Sequence, residues 1–335
     1  MAPCSEHLRL TVPRPSTPLR AAVVGARRRR QGTGEYVARE LARQGCAVVA
    51  VVGTRPETVG EARAQLAERY GISCRGYTSL AELLDAEAVD LVAVCSPPEA
   101  HEEQVALAAE RGCHVLCEKP FFWEAGLAEG SAAEVAARAE RLVAACAERG
   151  RHLALNTQWP FTLDAFRRLH PEAYGPGRPV ERFEMLLGPV AAGTRALVDS
   201  GSHFVSMLWA LVGPGQFEEL RLVRADRHGE RQTLRARYRH AAGAVEASLR
   251  LERSPAPPRP AGYAINGRSV RRHVELPAYR LSFRAGEREV PLEDPLVASV
   301  QRFVRKVRAG EPPDREAIVA GQCQLHRLVA AGSLP

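Results

Sequence analysis

The residues best suited to chemistry stand in the short stretch Glu118-Lys119-Pro120, directly after the apolar run from His114 to Cys117. The run predicts a buried strand, so both charged side chains lie where that strand ends. Ligands of open α/β sheets bind outside the carboxyl ends of the strands. Lys119 is also one of only two lysines among 46 basic residues. Since an ammonium is a compact donor whose pKa shifts readily, we expect a specific role for Lys119; composition bias is the alternative.

A second candidate pair is Asp199 and His203, in a segment whose apolar spacing is helical from Phe204 onward. Residues four apart share one face of a helix. A carboxylate one turn before an imidazole can fix its tautomer and raise its basicity, as is typical of a histidine that acts as a general acid or base. The alternative is a capping aspartate followed by a histidine of the core.

A glycine-rich turn lies between the first apolar run, residues 19–24, and a helix-like segment, residues 35–43. The turn contains an enlarged basic loop, Arg27 to Arg30, so its spacing differs from the usual G-x-G-x-x-G. Strand, glycine turn, helix and a second strand (residues 47–52) form a dinucleotide-binding unit, in which backbone amides approach a pyrophosphate. A flexible surface loop is the alternative. The predicted cofactor-binding residues of the turn are Gly25, Arg30, Gly32, Thr33 and Gly34.

The end of the second strand indicates which nucleotide is preferred. NAD-specific sites usually carry an acid there, which binds the ribose hydroxyls, but this sequence reads Gly53-Thr54-Arg55. A hydroxyl and a guanidinium suit a 2′-phosphate. Thr54 and Arg55 therefore predict NADP as the cofactor, with NAD still possible; Arg55 could also be an ordinary exposed residue at a helix start.

A further strand, residues 89–95, is almost continuously apolar and leads into Ser96-Pro97-Pro98. Two prolines make this loop rigid, and neither has an amide hydrogen to donate. Such a loop can wall a nicotinamide or a ribose, so Ser96 and Pro97 are predicted cofactor contacts. His101 begins the next helix and is expected to be either a ligand contact or a helix cap.

The order of the elements predicts two domains after a disordered leader at residues 1–18. Strands alternate with helices through residues 19–156, which is typical of a doubly wound parallel sheet, the Rossmann architecture. In residues 157–335 the pattern changes to period-two alternation with short turns, predicting an α+β domain with a mostly antiparallel, open sheet. The strands predicted there are 180–187, 217–226, 232–238, 244–252, 269–276 and 279–283, followed by helices 295–309 and 315–331.

The composition argues against several classes of protein. No run reaches the ~18 apolar residues of a membrane span, and the N-terminus has no apolar signal-peptide core, so we expect a cytoplasmic protein without membrane partners. The eight cysteines are scattered without a zinc-site pattern, predicting reduced thiols and no metal. Net charge is +7, but no nucleic-acid motif accompanies the arginine runs. The first arginine run, Arg27 to Arg30, is expected to bind a cofactor phosphate. Arg271-Arg272 is expected to lie on a solvated face.

Three motifs carry a resemblance to a known family: Cys95-Ser96-Pro97-Pro98, Glu118-Lys119-Pro120, and Asp199-x-Gly201-x-His203. Together they resemble the glucose–fructose oxidoreductase / inositol dehydrogenase / rhizopine catabolism (Gfo/Idh/MocA) family, over nearly the whole chain beyond the leader. The resemblance implies that Lys119 contacts cofactor and substrate and that Asp199 and His203 line the substrate site. It also implies that the open sheet packs in a homo-oligomer, a dimer or tetramer.

Two positions depart from the family pattern. One is the basic insertion Arg27 to Arg30, and the other is Ser206, where an aspartate usually stands three residues after the histidine. These departures leave the cofactor contacts of the loop and one substrate-hydroxyl contact open. Further residues that could face the substrate, or belong to the core or an interface, are Trp159, Phe161, Arg195 and Trp209.

The resulting hypothesis is an NAD(P)-dependent oxidoreductase acting on a carbinol or carbonyl carbon of a sugar, inositol or related keto compound. Lys119 would stabilise a developing alkoxide, His203 would move the proton, and Asp199 would orient His203. Glu118 would position Lys119 or bind ribose. The alternatives are an imine reductase of secondary metabolism, a non-catalytic NADP-binding regulatory protein and a nucleic-acid binder.

Overall fold

The computed structural model describes residues 17–27 and 32–333 of the chain. Most of the predicted leader therefore lies outside the described residues. The first sheet has six strands: β1 (Arg20–Val24), β2 (Ala47–Val52), β3 (Arg75–Tyr77), β4 (Leu91–Val94), β5 (His114–Cys117) and β6 (Leu153–Leu155). All pair in parallel, in the order β3-β2-β1-β4-β5-β6. The predicted doubly wound parallel sheet is confirmed.

Helices alternate with these strands, as the sequence pattern predicts. They are α1 (Gly34–Arg43), α2 (Pro56–Tyr70), α3 (Leu80–Ala86), α4 (His101–Glu110) and α5 (Ala132–Ala147). The Ser131 hydroxyl accepts from the Glu134 N–H at 3.1 Å and caps α5. Strand β3 has no counterpart among the predicted strands because it is a short, exposed edge strand without an apolar run.

The second sheet has eight strands, in the order β14-β13-β12-β11-β7-β10-β9-β8. Their bounds are β7 (Arg182–Leu187), β8 (Gly215–Arg224), β9 (Arg231–His240), β10 (Gly243–Glu252), β11 (Ala261–Ile265), β12 (Arg268–Glu275), β13 (Arg280–Ala285) and β14 (Arg288–Leu292). Among the described strands of this sheet, only β7 and β10 pair in parallel, so the predicted mostly antiparallel open sheet is confirmed. β11 is buried throughout and lacks alternation, while β14 contains Pro291, which an edge strand tolerates; neither was predicted.

One face of the second sheet is covered by α6 (Leu163–Leu169) and α7 (Gly193–Val212). Helix α7 starts about ten residues before the helical spacing in the sequence becomes apparent at Phe204. Its early part contains glycine, threonine and serine, which weaken the helical signal. Packing against the buried face of the sheet stabilises it nonetheless.

The last two helices, α8 (Pro295–Arg308) and α9 (Arg315–Ser333), connect the two halves. Val300 and Phe303 of α8 join the core that α1 and the first sheet form. Helix α9 packs between α5 and α7. The first unit is thus completed by a helix from the second half of the sequence. Across the described residues, every helix is too short or too polar to cross a membrane.

Candidate active site

The candidate site lies at the carboxyl edge of the parallel sheet. Strand β5 ends at Cys117, and Glu118 and Lys119 follow it directly. The Glu118 backbone N–H still donates to Val94 O of β4 at 2.8 Å. Strand pairing therefore continues to Glu118 and sets the direction in which the following turn leaves the sheet.

The carboxylate of Glu118 joins three segments of the site. Its Oε1 accepts hydrogen bonds from Thr33 Oγ1 at 2.7 Å and from Asn156 Nδ2 at 2.6 Å. Its Oε2 accepts from the Lys119 backbone N–H at 3.3 Å. Glu118 thus ties the glycine turn and the segment after β6 to the Lys119 turn. Asn156 was not among the predicted site residues; the available signal is its place directly after β6, which matches that of Glu118 after β5.

The glycine turn leaves no space for a side chain at Gly25 or Gly34. Gly25 has a φ of +78°, and a Cβ there would lie 2.6 Å from Cys95 O. A Cβ on Gly34 would lie 2.4 Å from Gly25 O. Gly32 and Thr33 lead into α1, whose first amides have no partner inside the helix. Such a turn admits a pyrophosphate, so these residues fit a dinucleotide; the predicted contact Arg30 lies outside the described residues.

Basic side chains gather beyond the end of β2. Thr54 and Arg55 are exposed, and Arg55 precedes α2, where its carbonyl accepts from Thr58 Oγ1 at 2.8 Å. Within the described ranges, the Arg55 guanidinium forms no ion pair. Arg27, the first residue of the basic loop, pairs with Glu61 of α2. The loop thus begins over the helix that Arg55 precedes.

The buried side chain of His101 holds the loop after β4 in place. This side chain is fully buried, with its ring nitrogens 2.9 Å from Pro120 O and 2.8 Å from Ser96 O. His101 therefore ties the loop to the Lys119 turn and does not reach the surface of the site, contrary to the predicted ligand contact. Ser96 and Pro97 retain exposed surface, which residues that line a cofactor site require.

Lys119 reaches across to the second half of the chain. Its Nζ donates to the backbone carbonyl of Asp199 in α7 at 2.7 Å. His203 lies one turn further along the same helix, and the charge of Lys119 helps to lower its pKa. The structure thus brings together the lysine and histidine that the sequence separates by more than eighty residues.

His203 is a neutral imidazole in this setting. Removal of water by the surrounding side chains lowers its pKa well below the ordinary value, and the charges of Lys119 and Arg272 act in the same direction. Its Nδ1 is buried without a hydrogen-bond partner among the described residues. The Trp159 ring meets the imidazole edge-on, with ring centroids 6.5 Å apart. A neutral imidazole can accept a proton from a substrate hydroxyl.

The predicted support of His203 by the Asp199 carboxylate is not found. Asp199 Oδ1 lies 3.2 Å from Arg195 Nε instead, and no hydrogen bond joins it to His203 in the part of the chain that the structure describes. Because α7 starts at Gly193, Arg195 stands one turn before Asp199 and competes for it. Arg195 also donates to Glu99 Oε1 at 2.8 Å, so the helix is tied to the loop after β4.

The prediction of a solvated face for Arg271-Arg272 is wrong for Arg272. Arg271 is exposed, but Arg272 points to the covered side of β12, as Val270 does. The Arg272 Cζ lies 5.7 Å from the Trp159 ring centroid. Arg272 therefore belongs to the surroundings of His203, and only the strand register could have revealed it.

The remaining aromatic candidates are distributed unevenly. Trp159 is 7% exposed and packs between His203 and Arg272. Phe161 is half-buried in the short 3₁₀ helix that begins at Trp159, and Trp209 lies half-buried further along α7. Among the described residues, the Trp159 ring is the one of the three that meets His203 and Arg272.

Comparison with known proteins relates the first part of the chain to a family of oxidoreductases. The GFO_IDH_MocA model, described as an oxidoreductase family with an NAD-binding Rossmann fold, matches residues 19–157. A D-glucoside 3-dehydrogenase of Escherichia coli is 39% identical over 105 residues, or 31% of this chain. An inositol 2-dehydrogenase of Streptomyces avermitilis is 36% identical over 107 residues, again 31% of this chain. The aligned part spans 28% of the length of each of these relatives.

Solved structures share the fold over almost the whole chain. A UDP-N-acetylglucosamine 3-dehydrogenase from Acidithiobacillus ferrooxidans has a TM-score of 0.66 and 19% identity, covering 94% of this chain and 98% of that one. A 3-ketoreductase from Actinomadura kijaniata, in complex with NADP, has a TM-score of 0.66 and 22% identity over the same shares. At these identities the likeness extends to the fold alone.

Proposed function

We propose that the chain, whose residues 19–157 match the model of the Gfo/Idh/MocA oxidoreductase family, is an NAD(P)-dependent dehydrogenase. Its reaction is hydride transfer between a nicotinamide and a carbinol or carbonyl carbon of a sugar, inositol or related keto compound. The observation that carries this proposal is the meeting of Lys119 and neutral His203 at the carboxyl edge of the sheet. The imine-reductase, regulatory and nucleic-acid alternatives gain no support from the relatives named above.

The cofactor, when bound, accepts or returns the hydride. In the oxidation direction, Lys119 donates to the substrate oxygen and stabilises the negative charge that develops on it. His203 accepts the hydroxyl proton, which its lowered pKa leaves it free to do. Asp199 acts through its backbone carbonyl, which holds the Lys119 ammonium at 2.7 Å. Its carboxylate holds Arg195, so we assign Asp199 a positioning role.

The same site favours NADP over NAD. No acidic residue follows β2 directly, and the Arg55 guanidinium has no ion pair in the described part of the chain. A 2′-phosphate provides the charge that this cation lacks. Glu118, by holding Thr33 and Asn156, keeps the glycine turn in place for the pyrophosphate.

Fluorescence titration with NADPH and NADH tests the cofactor assignment first. We expect NADPH to bind at least about tenfold more tightly, and Arg55→Ala to remove that preference while NADH affinity stays the same. Arg141→Ala, at an exposed position of α5, serves as the control and should change neither. Binding of neither nucleotide would refute the dehydrogenase. A screen of inositols and sugars for NADPH formation then tests the reaction.

The outer face of the second sheet supports a homo-oligomer, a dimer or tetramer. This face is concave, with a cavity of about 970 Å³. It carries both signs of charge on adjacent strands, as in Arg235 and Arg237 of β9 and Glu246 of β10. A face with both signs can pair with a second copy across a two-fold axis.

We also place the protein in the cytoplasm, where the seven described cysteines, all unpaired, would stay reduced.

A further inference from the structure

Arg272 occupies a position on the covered side of the sheet whose neighbours on β12 and β13 are apolar. It lies on the covered side of β12, next to Val270 on the same strand and opposite Phe283 of β13, both of which are buried. Its neighbour Arg271 points to the outer face and is exposed. Burying a guanidinium among apolar side chains is costly unless a partner compensates its charge. The position therefore calls for a partner.

The described residues satisfy only some of the donor groups of the Arg272 guanidinium. The Arg272 Nη2 donates to Arg259 O at 3.3 Å, and the Cζ lies over Trp159. The Nε is buried and has no hydrogen-bond partner among the described residues. A guanidinium offers five N–H donors in a planar fork that matches a carboxylate. Throughout residues 17–27 and 32–333, no carboxylate forms an ion pair with Arg272.

The negative charge of Asp294 acts on Arg272, but no hydrogen bond or ion pair joins the two side chains in the described ranges. Asp294 shares a small cavity of about 40 Å³ with Arg272, Gln158, Trp159 and Tyr279. However, Asp294 Oδ1 accepts the Leu296 N–H at 3.0 Å and caps α8. The cavity has room for a small polar group and not for a sugar ring.

The cavity shares Trp159 with the surroundings of His203. Gln158 and Trp159 follow β6 at the same edge of the sheet where Lys119 follows β5. Trp159 contacts both Arg272 and His203, and the charge of Arg272 reaches His203. Neither Lys119 nor Arg272 forms an ion pair with a described carboxylate, although the charge of Asp294 acts on Arg272, whereas Arg195 is matched by Glu99 and Asp199.

We propose that the substrate is an acidic sugar, whose carboxylate binds the Arg272 guanidinium beside Trp159 while a carbinol of the same molecule faces Lys119 and His203. This inference rests on the proposed dehydrogenase function and narrows its substrate class. Neutral sugars and inositols lack the group that Arg272 binds and react poorly. The bidentate geometry of arginine and carboxylate gives orientation as well as affinity.

The test compares ligands that differ only in charge. D-glucuronate and D-galacturonate are each paired with their uncharged uronamide, and binding is measured calorimetrically in the presence of NADP. We expect each acid to bind at least about tenfold more tightly than its amide. Arg272→Met, which keeps the stem length, should abolish this difference, and Arg272→Lys should restore part of it. Arg271→Met, on the other side of the same strand, should leave it intact.

Several results would overturn the inference. The inference is wrong if the wild-type protein binds acid and amide equally tightly. It is also wrong if Arg272→Met weakens the binding of acid and amide by the same factor, since Arg272 would then only support Trp159. NADPH formation separates the two proposals. Turnover of neutral sugars that Arg272→Met leaves unchanged refutes the acidic substrate and keeps the dehydrogenase. NADP binding without turnover of any sugar refutes the dehydrogenase.

Discussion

The chemistry proposed for His203 depends on its being neutral. Its pKa lies below the ordinary value of 6.5, because the surroundings exclude water and two cations lie nearby. The imidazole is therefore unprotonated at neutral pH and available as the base in oxidation. Because protonation requires a pH below 6.5, the rate of oxidation should begin to fall at a lower pH than it would with a free histidine as the base. The rate of the reverse reaction, in which His203 donates the proton, should rise as the pH falls.

Substitutions at the two central residues test this assignment. We expect His203→Ala to lower kcat for oxidation by about 10²–10⁴-fold and to remove the acid limb, since general acid–base help contributes about that much. Lys119→Ala should lower kcat at least as far. Lys306→Ala is the control, because the other lysine pairs with Asp314 and Glu311, away from the site. Steady-state kinetics over pH 5–9 measures all three; a near-wild-type rate for His203→Ala would contradict the role.

Individual residues differed in how far the sequence could place them. Lys119 could be predicted because its position depends on one local feature, the end of an apolar strand. The role of Arg272 could not, since it depends on which side of β12 faces the helices, and Arg271 and Arg272 look alike in sequence. The partner of Asp199 was mistaken for a related reason: helical spacing offers both Arg195 and His203, and only the full extent of α7 shows that Arg195 holds the carboxylate.

Among the elements, the glycine turn sets the sharpest steric condition. Gly25 and Gly71 both have positive φ, but a Cβ on Gly25 would collide with the Cys95 carbonyl, whereas nothing lies within 4 Å of one on Gly71. Gly71→Ala should cost about 1–2 kcal/mol of stability, the cost of the left-handed conformation alone, and leave nucleotide binding intact. Gly25→Ala should cost more and abolish nucleotide binding. Urea denaturation and NADPH titration measure the two effects.

The comparison of these two glycines isolates the close approach at Gly25. If Gly25→Ala bound NADPH as tightly as Gly71→Ala does, the turn would not be part of the nucleotide site. The elements on either side of this turn, β1 and α1, were predictable because an apolar run and an amphipathic helix are local patterns. Strands β11 and β14 were not, because one lacks alternation and the other contains a proline.

At the scale of the whole molecule, the two halves of the sequence are not the two halves of the fold. The sequence shows that α8 is an amphipathic helix but not which core covers its apolar face. Val300 and Phe303 complete the core of the first sheet, and α9 spans α5 and α7. Lys119 and His203 meet through the same kind of long-range packing. The candidate site therefore depends on contacts that no local pattern encodes.

The assembly of whole molecules depends on the outer face of the eight-stranded sheet. That face is polar and arginine-rich rather than apolar, so a homo-oligomer formed through it should be sensitive to salt. We expect light scattering after size exclusion to give at least twice the 36.5 kDa of one chain at low salt and less in 1 M NaCl. Arg235→Glu, on the exposed part of β9, should weaken association by placing like charge opposite the partner's acids. Arg141→Glu on α5 should not, and a monomer at every salt concentration would contradict the proposed interface.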